Sequence, residues 1–119
     1  MTVREFYRKI GGNYEGTLAN LLSEDRMKKY ILKFADANDY NDLLLALDEQ
    51  RYEDAFRFAH NIKGVCLNLG FSELAASGSA LCEALRGGTP AGDISALLDK
   101  VTEDHRALLA VLKRFSDEL

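Results

Sequence analysis

A single proline in 119 residues is the feature that most limits how this chain can fold. Proline and glycine interrupt helices, and the strongest such break is the run Gly87-Gly88-Thr89-Pro90. Weaker breaks fall at Gly11-Gly12-Asn13, at Asn38-Asp39 and at Gly70. The segments between them are rich in leucine and alanine, and none alternates apolar and polar residues as a half-buried strand does. The sequence therefore predicts an all-α protein.

Apolar residues recur at helical spacing between the breaks. A long helix from about Tyr52 to Leu69 carries a stripe with steps of four and three residues, namely Ala55, Ala59, Ile62, Cys66 and Leu69. The next helix, with Ser72 as its expected N-cap, carries Leu74, Gly78, Leu81 and Leu85. The last helix, opened by Asp93, carries Ile94, Leu98, Val101, His105, Leu108, Leu112 and Phe115.

Such stripes in consecutive helices with short connections predict an antiparallel four-helix bundle. A short helix marked by Leu43, Leu44 and Leu47 is its first member. An additional N-terminal helical segment over residues 1–38 contains a helix that starts after Ser23 and buries Met27, Ile31 and Phe34. We expect one domain over residues 1–119, in which the bundle helices occupy residues 39–118.

Charge and composition exclude several classes of partner. The net charge is −4 with no basic run, which argues against nucleic acid. The longest apolar run, Ala107 to Leu112, is too short to cross a membrane, and the N-terminus lacks the apolar core of a signal peptide. Cys66 and Cys82 fit no metal or redox spacing and are expected to be small core residues. The sequence predicts a cytoplasmic monomer with no metal and no cofactor.

His60 lies on the side of its helix opposite the apolar stripe. Lys63 and Gly64 follow one turn later on the side of His60. A glycine inside an exposed helix costs about 1 kcal/mol relative to alanine, which is acceptable if another molecule must approach the backbone closely. A neutral imidazole is nucleophilic, and a nearby ammonium can offset the charge of a phosphoryl group. The pattern indicates a phosphoryl-accepting histidine.

The stretch Ala59-His60-Asn61-Ile62-Lys63-Gly64, followed by Gly70, resembles the H-x-[aliphatic]-K-G-x5-G signature of histidine-containing phosphotransfer (HPt) domains. The resemblance covers most of the chain. It implies a phosphorelay intermediate of two-component signalling, which exchanges a phosphoryl group with aspartates of receiver domains or of a hybrid sensor kinase. His60 would be the acceptor through Nε2, Lys63 would stabilise the phosphoryl group, and Gly64 would give clearance.

The resemblance also implies the surroundings of that histidine. Arg86 matches a basic residue near the site in some members, whereas Cys82 stands where some members have an amide side chain that orients the imidazole. The Mg²⁺ needed for transfer would belong to the receiver. The chain would not be an enzyme with its own turnover, and it contains no G-x4-G-K-[ST] motif for ATP.

A strip of large apolar residues is predicted beside His60, made of Phe56, Leu67 and, if helical geometry persists past Gly70, Phe71. With Arg86, this strip is the expected docking surface for a receiver domain, because such residues on a solvent face imply a partner. The alternative is that a neighbouring helix, the N-terminal one, covers Phe56 or Phe71 as part of the core.

Two further alternatives concern function. The chain could be an HPt-like interaction module whose His60 is not used, or a phosphotransfer domain excised from a larger sensor or chemotaxis kinase. The starting Met1 and the full set of helices favour a free-standing protein. His105 lies on an apolar stripe and is followed by Arg106 and Ala107 instead of Lys-Gly, so we expect it to be a packed structural histidine.

Overall fold

The computed structural model describes all residues, 1–119, and contains seven α-helices and no strand. The helices are α1 (Val3–Ile10), α2 (Tyr14–Leu21), α3 (Glu24–Phe34), α4 (Asp39–Asp48), α5 (Tyr52–Leu69), α6 (Ser72–Ala84) and α7 (Ser95–Asp117). The prediction of an all-α fold is confirmed. None of these helices combines the length and the apolar character that crossing a bilayer requires.

Helices α4 to α7 form the bundle, in which α5 packs most closely on α6 and α4, and α6 packs on α7. Gly78 marks the close approach of α5 and α6, because a Cβ added there would lie 3.5 Å from Cγ2 of Ile62. These two residues are equally far along the chain from Gly70, so the two helices run antiparallel. The predicted stripe of α5 is buried in full, as are the four residues predicted for α6.

The starts of two helices differ by one or two residues from the prediction. The N-cap of α6 is Phe71, not Ser72, and α7 begins at Ser95, not at Asp93. The Asp93 carboxylate instead accepts hydrogen bonds from the backbone N–H of Ser95 at 2.9 Å and from its Oγ at 2.6 Å. An aspartate side chain that accepts hydrogen bonds from the residue two positions later forms a local turn before the helix. Residue preferences alone do not distinguish such a turn from a helix N-cap.

The N-terminal helices close one end of the bundle. Phe6 and Tyr7 of α1 are buried, and their rings pack within about 6 Å of the ring of Phe71. The Tyr7 hydroxyl donates a hydrogen bond to the Leu69 carbonyl at 2.7 Å. Burial raises the pKa of Tyr7 to about 12, so this hydroxyl remains a donor at any physiological pH. The contact ties α1 to the last turn of α5.

Gly70 joins the end of α5 to the connection between α1 and α2. Its φ of 71° is left-handed, which favours glycine. The Gly70 carbonyl accepts a hydrogen bond from the Asn13 N–H at 2.9 Å. A Cβ at this position would lie 2.2 Å from Oγ1 of Thr17 and 2.7 Å from the Asn13 carbonyl oxygen. Gly70 is therefore required both for its backbone conformation and for the space it leaves.

His105 is half-buried on α7, as expected for a packed histidine. Its ring stacks on that of Tyr40, with the centroids 3.9 Å apart and the planes 14° from parallel. The Tyr40 hydroxyl donates to Oγ1 of Thr102 at 2.9 Å, which fixes the tyrosine ring. Burial lowers the pKa of His105 from its usual value of 6.5.

This lowered pKa predicts a loss of stability in mild acid. As the pH falls below 6.5, His105 becomes protonated in the unfolded chain, whereas in the folded chain it becomes protonated only at a lower pH. The free energy of unfolding therefore falls as the pH decreases from 6.5 to the lower pKa of the folded chain. Because His105 is only half-buried, we expect a loss below about 1 kcal/mol. Urea unfolding at pH 7.5 and 5.5 measures it. The His105→Phe variant should lose less stability than the wild type, and an equal loss in both would contradict the prediction.

Candidate functional site

His60 projects from the outer face of α5 and is exposed. The rotation of the helix is set by its buried stripe, since Ala59 and Ile62 on either side of the histidine are 1% and 4% exposed. The prediction that His60 faces away from the core is confirmed. No side chain hydrogen-bonds the imidazole, so both ring nitrogens can interact with molecules outside the chain.

Lys63 and Gly64 lie one turn further along α5, and both are half-buried. A Cβ added at Gly64 would have no atom within 4 Å. This distinguishes Gly64 from Gly78, where the neighbouring helix occupies the space. Packing within the chain therefore gives no reason for glycine at position 64, although its helix cost is about 1 kcal/mol. The space beside the α5 backbone at Gly64 is empty of other atoms of the chain.

Phe56 links His60 to Arg86. The half-buried Phe56 ring lies 6.0 Å from the His60 ring, centroid to centroid. The guanidinium carbon of Arg86 stands 5.3 Å from the centroid of the same phenyl ring, within the range of a cation–π contact. Nε of Arg86 also donates to Oε2 of Glu83 at 3.0 Å. His60, Phe56 and Arg86 line one groove, which holds a positive charge beside the imidazole.

Cys82 is buried on α6. Burial raises the pKa of the Cys82 thiol, an effect that the positive charges of Lys63 and Arg86 partly oppose. Cys82 makes no hydrogen bond to His60, so no side chain takes the orienting role that the resemblance assigns to an amide at this position. Cys66 is also buried and free, and burial raises the pKa of its thiol to about 12. Both cysteines are core residues, as predicted.

The predicted apolar strip is only partly present. Leu67 is 62% exposed, and Phe56 is half-buried at the groove. The placement of Phe71 on this strip is wrong, because Phe71 is 1% exposed. The left-handed turn at Gly70 redirects the chain, so the helical wheel of α5 does not extend to Phe71. Its ring packs edge-on against Phe34 at 5.2 Å and is covered by α1 and α3, which is the alternative considered from the sequence.

Sequence reasoning missed two exposed apolar residues that line a second groove, which does not include Leu67. Val65 is 38% exposed on α5, and Tyr30 is 40% exposed on α3. Both line a groove between α2, α3 and α5 that is mostly apolar. The sequence offered one signal, because Tyr30 lies outside the apolar stripe of Met27, Ile31 and Phe34. The sequence does not show which face of α5 lies beside α3, since that depends on the tertiary fold.

No group of three or more His, Cys, Asp or Glu side chains lies close enough together to hold a metal ion. The two histidines have different surroundings, since His60 is exposed on α5 and His105 is stacked on Tyr40. The site is therefore built from one exposed imidazole, nearby cations and an open backbone, without a metal cluster on this chain.

Comparison with known proteins places this arrangement in a family. A family model described as the Hpt domain matches residues 34–117. The match runs from the last residue of α3 to the last residue of α7 and includes His60, Lys63, Gly64 and Gly70. No curated protein and no solved structure matches the chain. Because the family model covers well over half of the sequence, the chain belongs to the Hpt domain family.

Proposed function

We propose that this protein is a phosphorelay intermediate that accepts a phosphoryl group on Nε2 of His60 and exchanges it with aspartates of receiver domains. Membership of the Hpt family implies histidine phosphotransfer in phosphorelay signalling in general. The observation that carries the assignment to His60 is its exposure beside Gly64, where a Cβ would meet nothing within 4 Å. A receiver can therefore bring its phosphorylated aspartate close to the α5 backbone at this residue.

The transfer needs a nucleophile and a way to balance charge. The lone pair of Nε2 forms a bond to phosphorus while the bond between phosphorus and the aspartate oxygen breaks, and the electrons of that bond return to the carboxylate. The proton on Nδ1 stays on the ring. The phosphoryl group brings negative charge to the surface of α5, which the ammonium of Lys63 and the guanidinium of Arg86 offset.

Phe56 is proposed to hold Arg86 in place for this task. In the resting protein the guanidinium lies over the Phe56 ring and pairs with Glu83. This ion pair is exposed, with side-chain exposures of 55% for Arg86 and 70% for Glu83, so it is weak and readily exchanged. A phosphoryl group on His60 carries more charge than a carboxylate, and it would draw the guanidinium across the phenyl ring.

A phosphotransfer assay tests the proposed function. The full chain is mixed with phosphorylated receiver domains from the same cell, and acid-labile phosphate on the chain is measured. We expect labelling from at least one receiver and none from ATP alone, because the chain carries no ATP-binding motif. Labelling by ATP alone would contradict the carrier assignment. A chain that binds receivers but takes up no phosphate would be an interaction module.

Replacing Lys63 with alanine should slow transfer or shorten the lifetime of phosphohistidine. The ammonium is at the surface, so its contact with the phosphoryl group is worth about 0.5–1 kcal/mol, which corresponds to roughly a twofold to fivefold change. The matched control is Lys29→Ala, since Lys29 is an exposed lysine on α3. If Lys63→Ala and Lys29→Ala both behave like the wild type in rate and lifetime, Lys63 is only a solvated side chain.

Replacing Leu67 with aspartate should weaken receiver binding without unfolding the chain. Leu67 is 62% exposed, and exposed substitutions usually change stability by less than about 0.5 kcal/mol. Replacing an apolar residue at the centre of an interface can cost more than about 1 kcal/mol, and the new carboxylate would also lose its water, so we expect roughly tenfold weaker binding and slower transfer. Leu45→Asp on α4, at a residue 53% exposed, is the control and should bind normally. If the Leu67→Asp variant binds receivers normally, the docking surface does not include Leu67.

A further inference from the structure

The groove at His60 is lined by two arginines and by no acidic residue. Arg86 of α6 lies over the Phe56 ring, and the guanidinium carbon of Arg57 of α5 lies 6.0 Å from the centroid of the Phe58 ring. Both phenylalanines belong to the same lining. Although the chain has a net charge of −4, the charged groups in this lining are all positive, which favours an anion in the groove.

Arg57 is placed where it can reach an anion on His60. It precedes the histidine by three residues, and side chains at this spacing are neighbours on the surface of a helix. Lys63 follows the histidine by the same interval, so the imidazole stands between two cations of α5. The Arg57 side chain is 67% exposed, so the guanidinium can move without disturbing the core.

Asp54 holds Arg57 in the resting protein, and this ion pair is easily exchanged. Oδ1 of Asp54 accepts a hydrogen bond from Arg57, and Oδ2 accepts one from Nη1 of Arg51 at 2.7 Å. When Arg57 leaves, Asp54 therefore keeps a cationic partner. Ion pairs between exposed side chains are weak, and a phosphoryl group carries more negative charge than a carboxylate. A phosphoryl group on His60 would compete with Asp54 for Arg57.

We propose that Arg57 moves from Asp54 to the phosphoryl group on His60 and binds it through charge-assisted hydrogen bonds. This inference rests on the proposed function, since it requires that His60 carries a phosphoryl group. With Lys63 on the other side of the imidazole, the phosphoryl oxygens then have a cation of α5 on either side. Arg57 thus joins Lys63 and Arg86 in offsetting the charge of the phosphorylated protein.

Phosphorylation of the full chain with potassium phosphoramidate tests this contact without a receiver. The reagent gives its phosphoryl group to an imidazole and releases ammonia, and the phosphorus-31 resonance of the His60 product is identified by its absence in His60→Gln. A nearby positive charge favours the doubly charged phosphoryl group and lowers the pKa of its last ionisation. We expect Arg57→Gln to raise that pKa by about 0.3, the effect of one screened charge at contact distance in water.

Two variants separate the charge of Arg57 from its role in α5. Arg51→Gln also removes a partner of Asp54, but Arg51 lies outside the groove, so the phosphoryl pKa should stay within about 0.1 of the wild type. Arg57→Lys keeps the charge and should recover at least half of the shift. An unchanged pKa in Arg57→Gln, an equal shift in Arg51→Gln, or no recovery in Arg57→Lys would each overturn the proposal.

The proposed function and the Arg57 contact can fail separately. If receivers do not label the wild type, while Arg57→Gln raises the phosphoryl pKa of the phosphoramidate-treated chain, the proposed function fails and the contact is supported. If receivers label the wild type and the pKa is the same in Arg57→Gln, only the contact is overturned.

Discussion

The His60→Gln variant is expected to keep its helical fold and to take up no phosphoryl group from any receiver. Glutamine has no ring nitrogen that can attack phosphorus, so the covalent step is lost entirely and not merely slowed. Since His60 is exposed and makes no hydrogen bond, the free energy of unfolding should change by less than about 0.5 kcal/mol. Circular dichroism, thermal unfolding and receiver-dependent labelling measure these outcomes together.

His105→Phe is the matched control for that experiment. His105 is stacked on Tyr40 and has no lysine and glycine one turn away, so its replacement should leave labelling unchanged. If the His60→Gln variant still acquires acid-labile phosphate, the acceptor is another residue and the assignment to His60 fails. If only the His105→Phe variant loses labelling, the phosphoryl acceptor is His105 on α7.

Two alanine substitutions in the α5 region should have opposite effects on stability. Gly70→Ala should destabilise the protein by about 3 kcal/mol or more, because φ is 71° and the new Cβ would lie 2.2 Å from Oγ1 of Thr17 and 2.7 Å from a backbone oxygen. Gly64→Ala should stabilise it by about 1 kcal/mol, because alanine is the better helix former and the space is empty. Urea unfolding of the two variants measures both changes.

A longer side chain at position 64 separates stability from function. Gly64→Gln should fold at least as well as the wild type, yet it should block the approach of a receiver and slow transfer strongly. Destabilisation of Gly64→Ala, or normal transfer by Gly64→Gln, would show that the glycine serves some purpose other than clearance. A Gly70→Ala variant within about 1 kcal/mol of the wild type would contradict the close packing at that junction.

The bundle could be predicted from the sequence because burial repeats regularly along its helices. The helix predicted from about Tyr52 to Leu69 is α5, since the stripe begins after a polar stretch and ends at Gly70. The same regularity fixed the outward direction of His60. Helices α1 and α2 have only eight residues each, so the periodicity of residues 1–21 shows little more than a helical tendency.

The errors arose where the chain turns. A helical wheel assumes constant geometry, and it failed for Phe71 because Gly70 adopts a left-handed conformation. The contact of Arg86 with Phe56 and the burial of Oδ2 of Asp104 without a hydrogen-bond partner could not be predicted either. Each depends on how two or three helices meet, and the spacing within one helix carries no information about that.

The most direct test of the central claim is to locate the phosphoryl group on the wild-type chain after transfer from a phosphorylated receiver. Nitrogen-15 and phosphorus-31 NMR of the labelled protein identifies both the residue and the ring nitrogen. We predict one phosphoramidate, on Nε2 of His60, with the resonances of His105 unchanged. Phosphate on His105, on any other side chain, or on no residue of this chain would contradict the claim.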